Sequence, residues 1–246
     1  MRFVTAALLL ALAPPAVAFE PAEKKEIEQI VREYLLSNPE LLGEMQQAYE
    51  RRQEEERVAG AQRALSERRD QIFSSPHQTE IGNPDGDVTI VEFFDYNCPY
   101  CGRALDDMNE ILKSDPNLRF VLKEVPIIRP ESVGAHRISL GVFAIAPERY
   151  DEFHNRLFQV EGVKTDEAAL KLVAEMGLDR DRVIEAANTD KVTEAFREGT
   201  QLAEALGITG TPSYVIGDEI VFGAVGADAL REKIANVRKC GSTTCS

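Results

Sequence analysis

The chain is short of positive charge. Its 246 residues include 28 Lys and Arg against 42 Asp and Glu, which gives a formal net charge of −14 at pH 7. Nucleic-acid binding and docking on anionic lipid both need a basic surface, so the sequence excludes them as primary functions.

The sequence also lacks an internal repeat of about 20 to 50 residues. Because 43% of the residues are hydrophobic, the chain has the apolar content of a folded protein rather than a disordered one.

Long apolar runs are missing as well. After the N-terminus, no stretch approaches the roughly 18 apolar residues that predict a transmembrane helix. The N-terminus combines Arg2, an apolar run over residues 6–13 and Ala-Val-Ala at residues 16–18, the pattern of a secretory signal peptide. We therefore expect residues 1–18 to be cleaved and the product not to insert into a membrane; an uncleaved anchor is the alternative. The predicted location is the periplasm, where disulfides form and persist.

Residues 19–75 have a helical pattern without strand-like alternation. An apolar helix face is formed by Ile27, Ile30, Val31, Tyr34 and Leu35. The segment has too little apolar surface to form a core alone, so it needs a partner. We expect an oligomerisation segment; a solvated helix packed on its own domain is the alternative. Turn-forming residues between positions 74 and 86 predict a domain boundary there.

Residues 76–246 have the pattern of an α/β domain with a helical insertion. The predicted elements are, in chain order, a strand over residues 88–94, a helix after Pro99, a strand over 118–125, helices over 131–206, a hairpin over 212–222 and a helix over 226–237.

The motif Cys98-Pro99-Tyr100-Cys101 carries the most chemical information. It follows a predicted strand and opens a predicted helix, where backbone N–H groups and the helix dipole stabilise a thiolate on Cys98. A stabilised thiolate attacks disulfides and also leaves well, and Cys101 is expected to be the more buried, resolving thiol. A zinc site would need two further ligands, and the sequence has no second Cys-x-x-Cys or clustered His pair, so we expect no metal site. An inert disulfide is the other alternative.

Cys240 and Cys245 form a second pair near the C-terminus. In an oxidising compartment we expect a local structural disulfide, which stabilises modestly because its loop is short. An auxiliary redox relay and a Cu(I) thiolate site are the alternatives. The three histidines, His77, His136 and His154, are far apart in sequence, and we expect them to be structural or on the surface.

Two segments resemble the DsbA-type thioredoxin-fold oxidoreductases. VEFFDYNCPYC at residues 91–101 resembles their active-site segment, and GTPSYVI at residues 210–216 resembles their cis-proline segment. The resemblance implies a thioredoxin fold with a helical insertion, and Pro212 in the cis form beside the cysteines. It also implies that the backbone of Thr211 hydrogen-bonds an extended substrate. No cofactor is expected beyond the redox-active Cys98–Cys101 disulfide, with Cu(I) binding left open.

The same resemblance implies a charged pair below the active site. Glu92 precedes Cys98 by six residues within an apolar strand, and Lys123 lies in the neighbouring strand. A buried carboxylate has a raised pKa and can relay a proton during exchange. The alternative is that both side chains point outward at the strand ends.

The whole chain is similar to one branch of that family. The signal peptide, YLLSNPE at residues 34–40 and DYNC at residues 95–98 resemble the ScsC (suppressor of copper sensitivity) branch. Some members of this branch trimerise through N-terminal helices and act as disulfide isomerases, while others lack the segment and are monomers. Thr211 before the cis-proline resembles the isomerases more than DsbA, whereas the Pro99-Tyr100 dipeptide resembles glutaredoxin more than DsbA.

These features predict a periplasmic thiol–disulfide oxidoreductase, and more specifically a stalk-assembled homotrimer acting as isomerase or reductase. Its expected partners are unfolded or misoxidised secreted proteins and a membrane thiol reductase or oxidase that recycles the site. Two alternatives stay open. One is a monomeric DsbA-like dithiol oxidase, and the other is a non-enzymatic periplasmic copper-binding protein that uses the same thiolates.

Overall fold

The computed structural model describes residues 20–245, so the predicted signal peptide lies outside the described residues. The described residues fall into two compact units, which divide between Glu55 and Glu56. Within residues 20–245, no helix is both long enough and apolar enough to cross a membrane.

The first unit is helical where the structure describes it, as the apolar spacing predicts. α1 (Pro21–Ser37) ends where the Asn38 side chain donates a hydrogen bond to the Tyr34 carbonyl oxygen at 2.7 Å. α2 (Glu40–Glu67) starts directly after Pro39, which cannot continue the preceding helix. No residue of α1 is buried, and its apolar face consists of exposed side chains: Ile27, Ile30, Val31, Tyr34 and Leu35.

The two units divide at Glu55 and Glu56, inside α2, while the boundary after residue 75 stays a prediction. The end of α2 and the short α3 (Arg69–Phe73) belong to the second unit, where Leu65, Ile72 and Phe73 are buried in a hydrophobic cluster with the central strands. A stalk helix and a core helix both bury one apolar face, so periodicity alone could not separate them.

A five-stranded sheet of order β1-β3-β2-β4-β5 forms the centre of the second unit. β2 and β3 are parallel and the other neighbours are antiparallel. Three predictions are confirmed: β2 (Val88–Phe94), β3 (Leu118–Glu124) and the hairpin of β4 (Ser213–Ile216) and β5 (Glu219–Phe222). The edge strand β1 (Thr79–Gly82) was not predicted, because four residues give too short a pattern and its pairing with β3 defines it.

Helices cover both faces of this sheet. α4 (Pro99–Ser114) and α10 (Ala227–Cys240) pack on the face that carries Phe94, while α3 and α9 (Asp190–Ala205) pack on the face that carries Phe93. Successive residues of a strand point to opposite faces, so a strand covered on both sides is apolar throughout. β2 fits this pattern except at the half-buried Thr89 and the buried Glu92.

The predicted helical insertion lies between β3 and β4. It consists of α5 (Ser132–Ile145), a 3-10 turn (Pro147–Arg149), α6 (Tyr150–Gln159), α7 (Asp166–Glu175), α8 (Arg180–Ala187) and α9. Gly141 permits the close approach of α5 to α8, since a Cβ atom there would lie 2.6 Å from the Val183 carbonyl oxygen. The expected α/β domain with a helical insertion is confirmed.

Candidate active site

Cys98 and Cys101 lie at the start of α4, directly after the central strand. Cys98 is the N-cap residue, and Pro99 occupies the first helical position, for which its fixed φ is suited. Cys101 falls in the first turn and is fully buried, while Cys98 keeps 4% of its surface exposed. Both are free cysteines. The sulfur that a substrate can reach is therefore that of Cys98.

The surroundings of the two thiols separate their pKa values. A hydrogen bond from the Cys101 thiol, with help from Thr211 and the backbone N–H groups of Cys101 and Tyr100, lowers the pKa of Cys98 to about 6 against the effect of burial. Burial raises the pKa of Cys101. At neutral pH, Cys98 is a thiolate and Cys101 is a thiol that donates to it.

The sheet brings Pro212 to the cysteines from a distant part of the chain. The Thr211–Pro212 peptide bond is cis, and the Cys98 Sγ atom lies 3.0 Å from the Thr211 carbonyl oxygen. This placement follows from the strand register, in which Phe93 of β2 pairs with Ser213 of β4. The two segments that carry the family resemblance are therefore adjacent in space.

Glu92 lies on the same face of the sheet as the cysteines and is almost completely buried. Burial, the negative charge of Cys98 and the carboxylate of Asp107 raise the pKa of Glu92 to about 8. Tyr214 faces it across the β2–β4 pair, and the buried Tyr214 hydroxyl has no hydrogen-bond partner in the described part of the chain. Glu92 is therefore neutral at pH 7 and can exchange a proton inside the site.

The predicted pair between Glu92 and Lys123 is wrong. Glu92 is in register with Leu122, so Lys123, one residue further, points to the opposite face of the sheet. There its ammonium group donates to Glu198 at 2.9 Å and to the Gln71 carbonyl oxygen at 2.7 Å. Lys123 therefore holds the helices of that face to the sheet and does not reach the cysteine site.

A buried polar cluster behind the active-site loop was not predicted. We call it the histidine network, and its members are Tyr96, Glu124, His136, Ser139, Tyr150 and His154. His136 Nε2 accepts the Tyr96 N–H at 3.1 Å, and Nδ1 contacts the Glu124 carboxylate. The Glu124 and Asp95 carboxylates raise the pKa of His136 to about 9 against the effect of burial, while the Tyr96 N–H, which needs an unprotonated Nε2, favours the neutral ring.

The phenol of Tyr96 extends the histidine network into the insertion. Its oxygen lies 2.8 Å from the Ser139 hydroxyl and 2.9 Å from His154 Nδ1. Burial lowers the pKa of His154 to about 3, which keeps that ring neutral. No sequence signal marked these contacts, because the partners of Tyr96 are 40 to 58 residues away along the chain. The third histidine, His77, is half-buried and is not a member of this network.

A groove of about 360 Å³ opens beside Cys98. Its lining combines apolar surface with two cationic side chains and includes Pro99, Phe158, Val163, Arg129 and Lys164. A substrate segment that reaches the Cys98 sulfur would run along this groove.

A disulfide joins Cys240, the last residue of α10, to Cys245. Between them, the Thr243 N–H donates to the Asp218 carboxylate, just beyond the end of β4. Since β4 begins beside the cis-proline, this disulfide lies at the opposite end of the strand from Cys98. Among residues 20–245, no group of three or more His, Cys, Asp or Glu side chains could hold a metal ion.

Comparison with known families agrees with this geometry. Residues 89–235 match the DSBA-like thioredoxin domain family. The chain belongs to this DsbA-like family. Residues 23–56 match a second family, the copper resistance protein ScsC N-terminal domain, and this match ends within one residue of the division between the two units.

Solved structures show the same DsbA-like fold. A thioredoxin-like oxidoreductase from Silicibacter pomeroyi DSS-3 is 37% identical, with a TM-score of 0.67 over 70% of this chain and 98% of that one. A linker-deletion mutant of Proteus mirabilis ScsC is 29% identical, with a TM-score of 0.64 over 90% of this chain and 99% of that one. The resemblance to the DsbA and ScsC families is therefore confirmed.

Curated relatives include much longer proteins. The Na⁺/H⁺ antiporter NhaA 1 of Salinispora arenicola is 24% identical over 162 residues, which are 65% of this chain and 25% of the antiporter. The chain thus spans about a quarter of the length of the first curated relatives that it matches. The similarity is limited to that quarter of the antiporter, and antiport activity is not assigned to this chain.

Alkylation should distinguish the two thiols by pH. The rate at which iodoacetamide modifies Cys98 should rise with pH to half its maximum at about pH 6, because the thiolate is the reactive form. Cys101→Ala removes the principal hydrogen bond to that thiolate and should move the midpoint up towards the ordinary value of about 8.5. Mass spectrometry measures both profiles, with Cys98→Ala as the control for the buried thiol. A wild-type midpoint near the ordinary cysteine value of about 8.5 would show that the pKa of Cys98 is not lowered.

Glu92 should make folding stability fall as the pH rises. Its pKa of about 8 in the folded chain lies above the ordinary value of 4.5. The stability that it contributes is therefore fully present below about pH 4.5 and is lost as the pH rises to about 8. The Glu92→Gln side chain cannot ionise, so the stability of this variant should not show this fall with pH.

Urea unfolding of the reduced protein at about pH 5 and about pH 8 checks this expectation. Glu92→Gln should gain stability relative to wild type as the pH rises. Glu232→Gln, which changes an exposed carboxylate on α10, should keep the wild-type pH dependence. Parallel profiles for wild type and Glu92→Gln would show that Glu92 is not protonated in the folded protein.

Proposed function

We propose that the protein is a periplasmic thiol–disulfide oxidoreductase that acts on secreted proteins. The observation that carries this proposal is the pairing of the Cys98 thiolate, whose pKa is lowered to about 6, with the buried Cys101 thiol. Their position at a helix N-terminus beside the cis Pro212 supports the same conclusion. The only redox group that the proposed exchange needs is the Cys98–Cys101 pair.

The reduced site reacts in two steps. The Cys98 thiolate attacks one sulfur of a substrate disulfide, which forms a mixed disulfide and releases the other substrate sulfur as a thiolate. Cys101 then loses its proton and attacks Cys98, which forms the Cys98–Cys101 disulfide and releases the second substrate sulfur. The substrate gains two electrons and the site loses two. In the mixed disulfide Cys98 carries no negative charge to raise the pKa of Glu92, so Glu92, on the same face of the sheet, can ionise and accept the proton that Cys101 loses.

We favour isomerase or reductase activity over oxidase activity because residues 23–56 match the ScsC N-terminal domain, the segment through which isomerases of that branch assemble. An isomerase must hold its cysteines reduced; the hydrogen bonds to the Cys98 thiolate stabilise that reduced form, and by themselves they also make the disulfide form of the site oxidising. In isomerisation, the freed substrate thiolate attacks the mixed disulfide again in a different pairing and returns Cys98 unchanged. A membrane thiol reductase would restore any site that becomes oxidised.

The exposed apolar face of α1 supports assembly into a homo-oligomer, of which we favour a trimer. Ile30 and Tyr34 are each 59% exposed, and the other apolar residues of this face are exposed as well. An amphipathic helix with no buried residue gains stability when its apolar face packs on copies of itself. The match of residues 23–56 to the ScsC N-terminal domain supports a separate role for this segment.

Reactivation of a scrambled disulfide protein tests the activity. The reduced mature protein should restore the activity of ribonuclease with wrongly paired disulfides, and Cys98→Ala should abolish the effect because it lacks the nucleophile. If the wild type oxidises reduced ribonuclease but does not reactivate the scrambled form, the protein is a dithiol oxidase. If neither ribonuclease changes while Cys98 is still alkylated, the exchange activity itself is refuted.

Charge substitutions on α1 test the assembly. Ile30→Lys combined with Tyr34→Lys places two charges on the apolar face and should give a monomer, because burying unpaired charges in an interface is unfavourable. Gln29→Lys combined with Leu36→Lys adds the same charge on the opposite face of the helix and should leave the assembly intact. Light scattering coupled to gel filtration measures the mass of each. A monomeric wild type, or equal masses for the two double variants, would remove α1 from any role in assembly.

A further inference from the structure

Arg129 and Lys164 bring two positive charges to the groove beside Cys98, in a chain whose formal net charge is −14. No carboxylate is among the residues that line this groove. Among the hydrogen bonds and ion pairs of residues 20–245, none involves the guanidinium of Arg129 or the ammonium group of Lys164. Both cations are therefore available to a ligand in the groove.

Side chains of the active-site loop fix the backbone at both cations. Asp95 accepts a hydrogen bond from the Ile128 N–H, next to Arg129, at 2.8 Å. Asn97 bonds the backbone of Lys164 twice, accepting from its N–H at 2.8 Å and donating to its carbonyl oxygen at 2.9 Å. Asp95 and Asn97 stand three residues and one residue before Cys98. The same short loop thus positions the nucleophile and the two cations.

The electrostatics of the pair favour an anion. Burial lowers the pKa of Lys164, and the like charge of Arg129 lowers it further. A carboxylate in the groove would offset both effects, because it pairs with the ammonium group and screens it from the guanidinium. The apolar lining contributed by Phe158 and Val163 would strengthen such a contact by excluding water from it.

We propose that Arg129 and Lys164 form a carboxylate subsite of the Cys98 groove, so that disulfides flanked by Asp or Glu are preferred substrates. The inference rests on the proposed exchange activity and names its substrate class. Two sources supply the same chemistry, an acidic residue beside a client cysteine and the carboxylates of a glutathione-type disulfide. We assign the subsite to the acidic client residue.

The subsite acts in the first step of the exchange. The carboxylate docks on the two cations while the Cys98 thiolate attacks the adjacent substrate sulfur, forms the mixed disulfide and releases the other substrate sulfur as a thiolate. Cys101 then completes the two-electron transfer as described for the proposed function. The carboxylate itself neither gains nor loses a bond or an electron.

The test uses two disulfide-linked peptides that differ only in Glu or Gln on either side of the attacked cysteine. The quantity measured is the ratio of their second-order rate constants with the reduced mature protein at low salt. For wild type we expect the Glu peptide to react roughly 3- to 10-fold faster, as two partly exposed ion pairs allow. The ratio should fall towards one at high salt, which screens these charges.

Variants identify the groups responsible. In Arg129→Gln combined with Lys164→Gln the ratio should fall towards one, and each single variant should lie between. Lys113→Gln removes an exposed positive charge near the far end of α4, about 20 Å along the helix from Cys98, and should keep the wild-type ratio. A substitution that alters the reactivity of Cys98 changes the rate constants of the Glu and Gln peptides by the same factor. The ratio of the two rate constants is therefore unaffected by such a change.

Each outcome decides the proposal. A wild-type ratio of one, or a ratio that the double variant leaves unchanged, overturns the subsite while leaving the exchange activity in place. Failure of both peptides to react overturns the proposed function instead. Glutathione disulfide and its amidated form, measured in the same way, separate the two sources. If the carboxylate accelerates the reaction of the peptides but not that of glutathione disulfide, the subsite belongs to an acidic client residue. If it accelerates only the reaction of glutathione disulfide, that assignment is overturned.

Discussion

The hydrogen bonds of the loop between β2 and α4 are the constraint on which the rest of the site depends. Asp95 and Asn97 use their side chains on the backbone of distant segments, and the N–H of Tyr96 between them donates to His136. These groups are largely buried, where an unpaired donor or acceptor costs about 1 to 3 kcal/mol. These hydrogen bonds therefore stabilise the loop conformation that delivers Cys98 to the N-cap position of α4.

The central sheet separates two sets of buried charge. On one face, the cysteines, Glu92 and Tyr214 form the reactive side, where a proton can move. On the other face, Lys123 and Glu198 pair at 2.9 Å and hold helices in place. Because side chains alternate along each strand, the neighbouring strands β2 and β3 carry Glu92 and Lys123 one register position apart on opposite faces, without contact between them. The reactive face thus keeps a raised pKa on Glu92, which a nearby ammonium group would have lowered.

Local patterns in the sequence predicted most of the fold and the two cysteines. β2, the helix after Pro99 and the hairpin follow from short-range periodicity and turn residues. The features that were missed or wrong depend on partners far along the chain: β1 exists through its pairing with β3, and Lys123 faces Glu198 because of strand parity. His136 offered no signal either, since a lone histidine becomes part of a network only when the insertion folds back on the loop.

The raised pKa of Glu92 also links the redox state of the site to proton uptake. Part of that rise comes from the negative charge of Cys98, which disappears when the disulfide forms. Oxidation therefore lowers the affinity of Glu92 for its proton, and reduction raises it again. The reduction potential of this site must then change with pH more steeply than it would if the two cysteines were the only titrating groups. Acid surroundings would shift the protein towards its dithiol form through a carboxyl group that never touches the substrate.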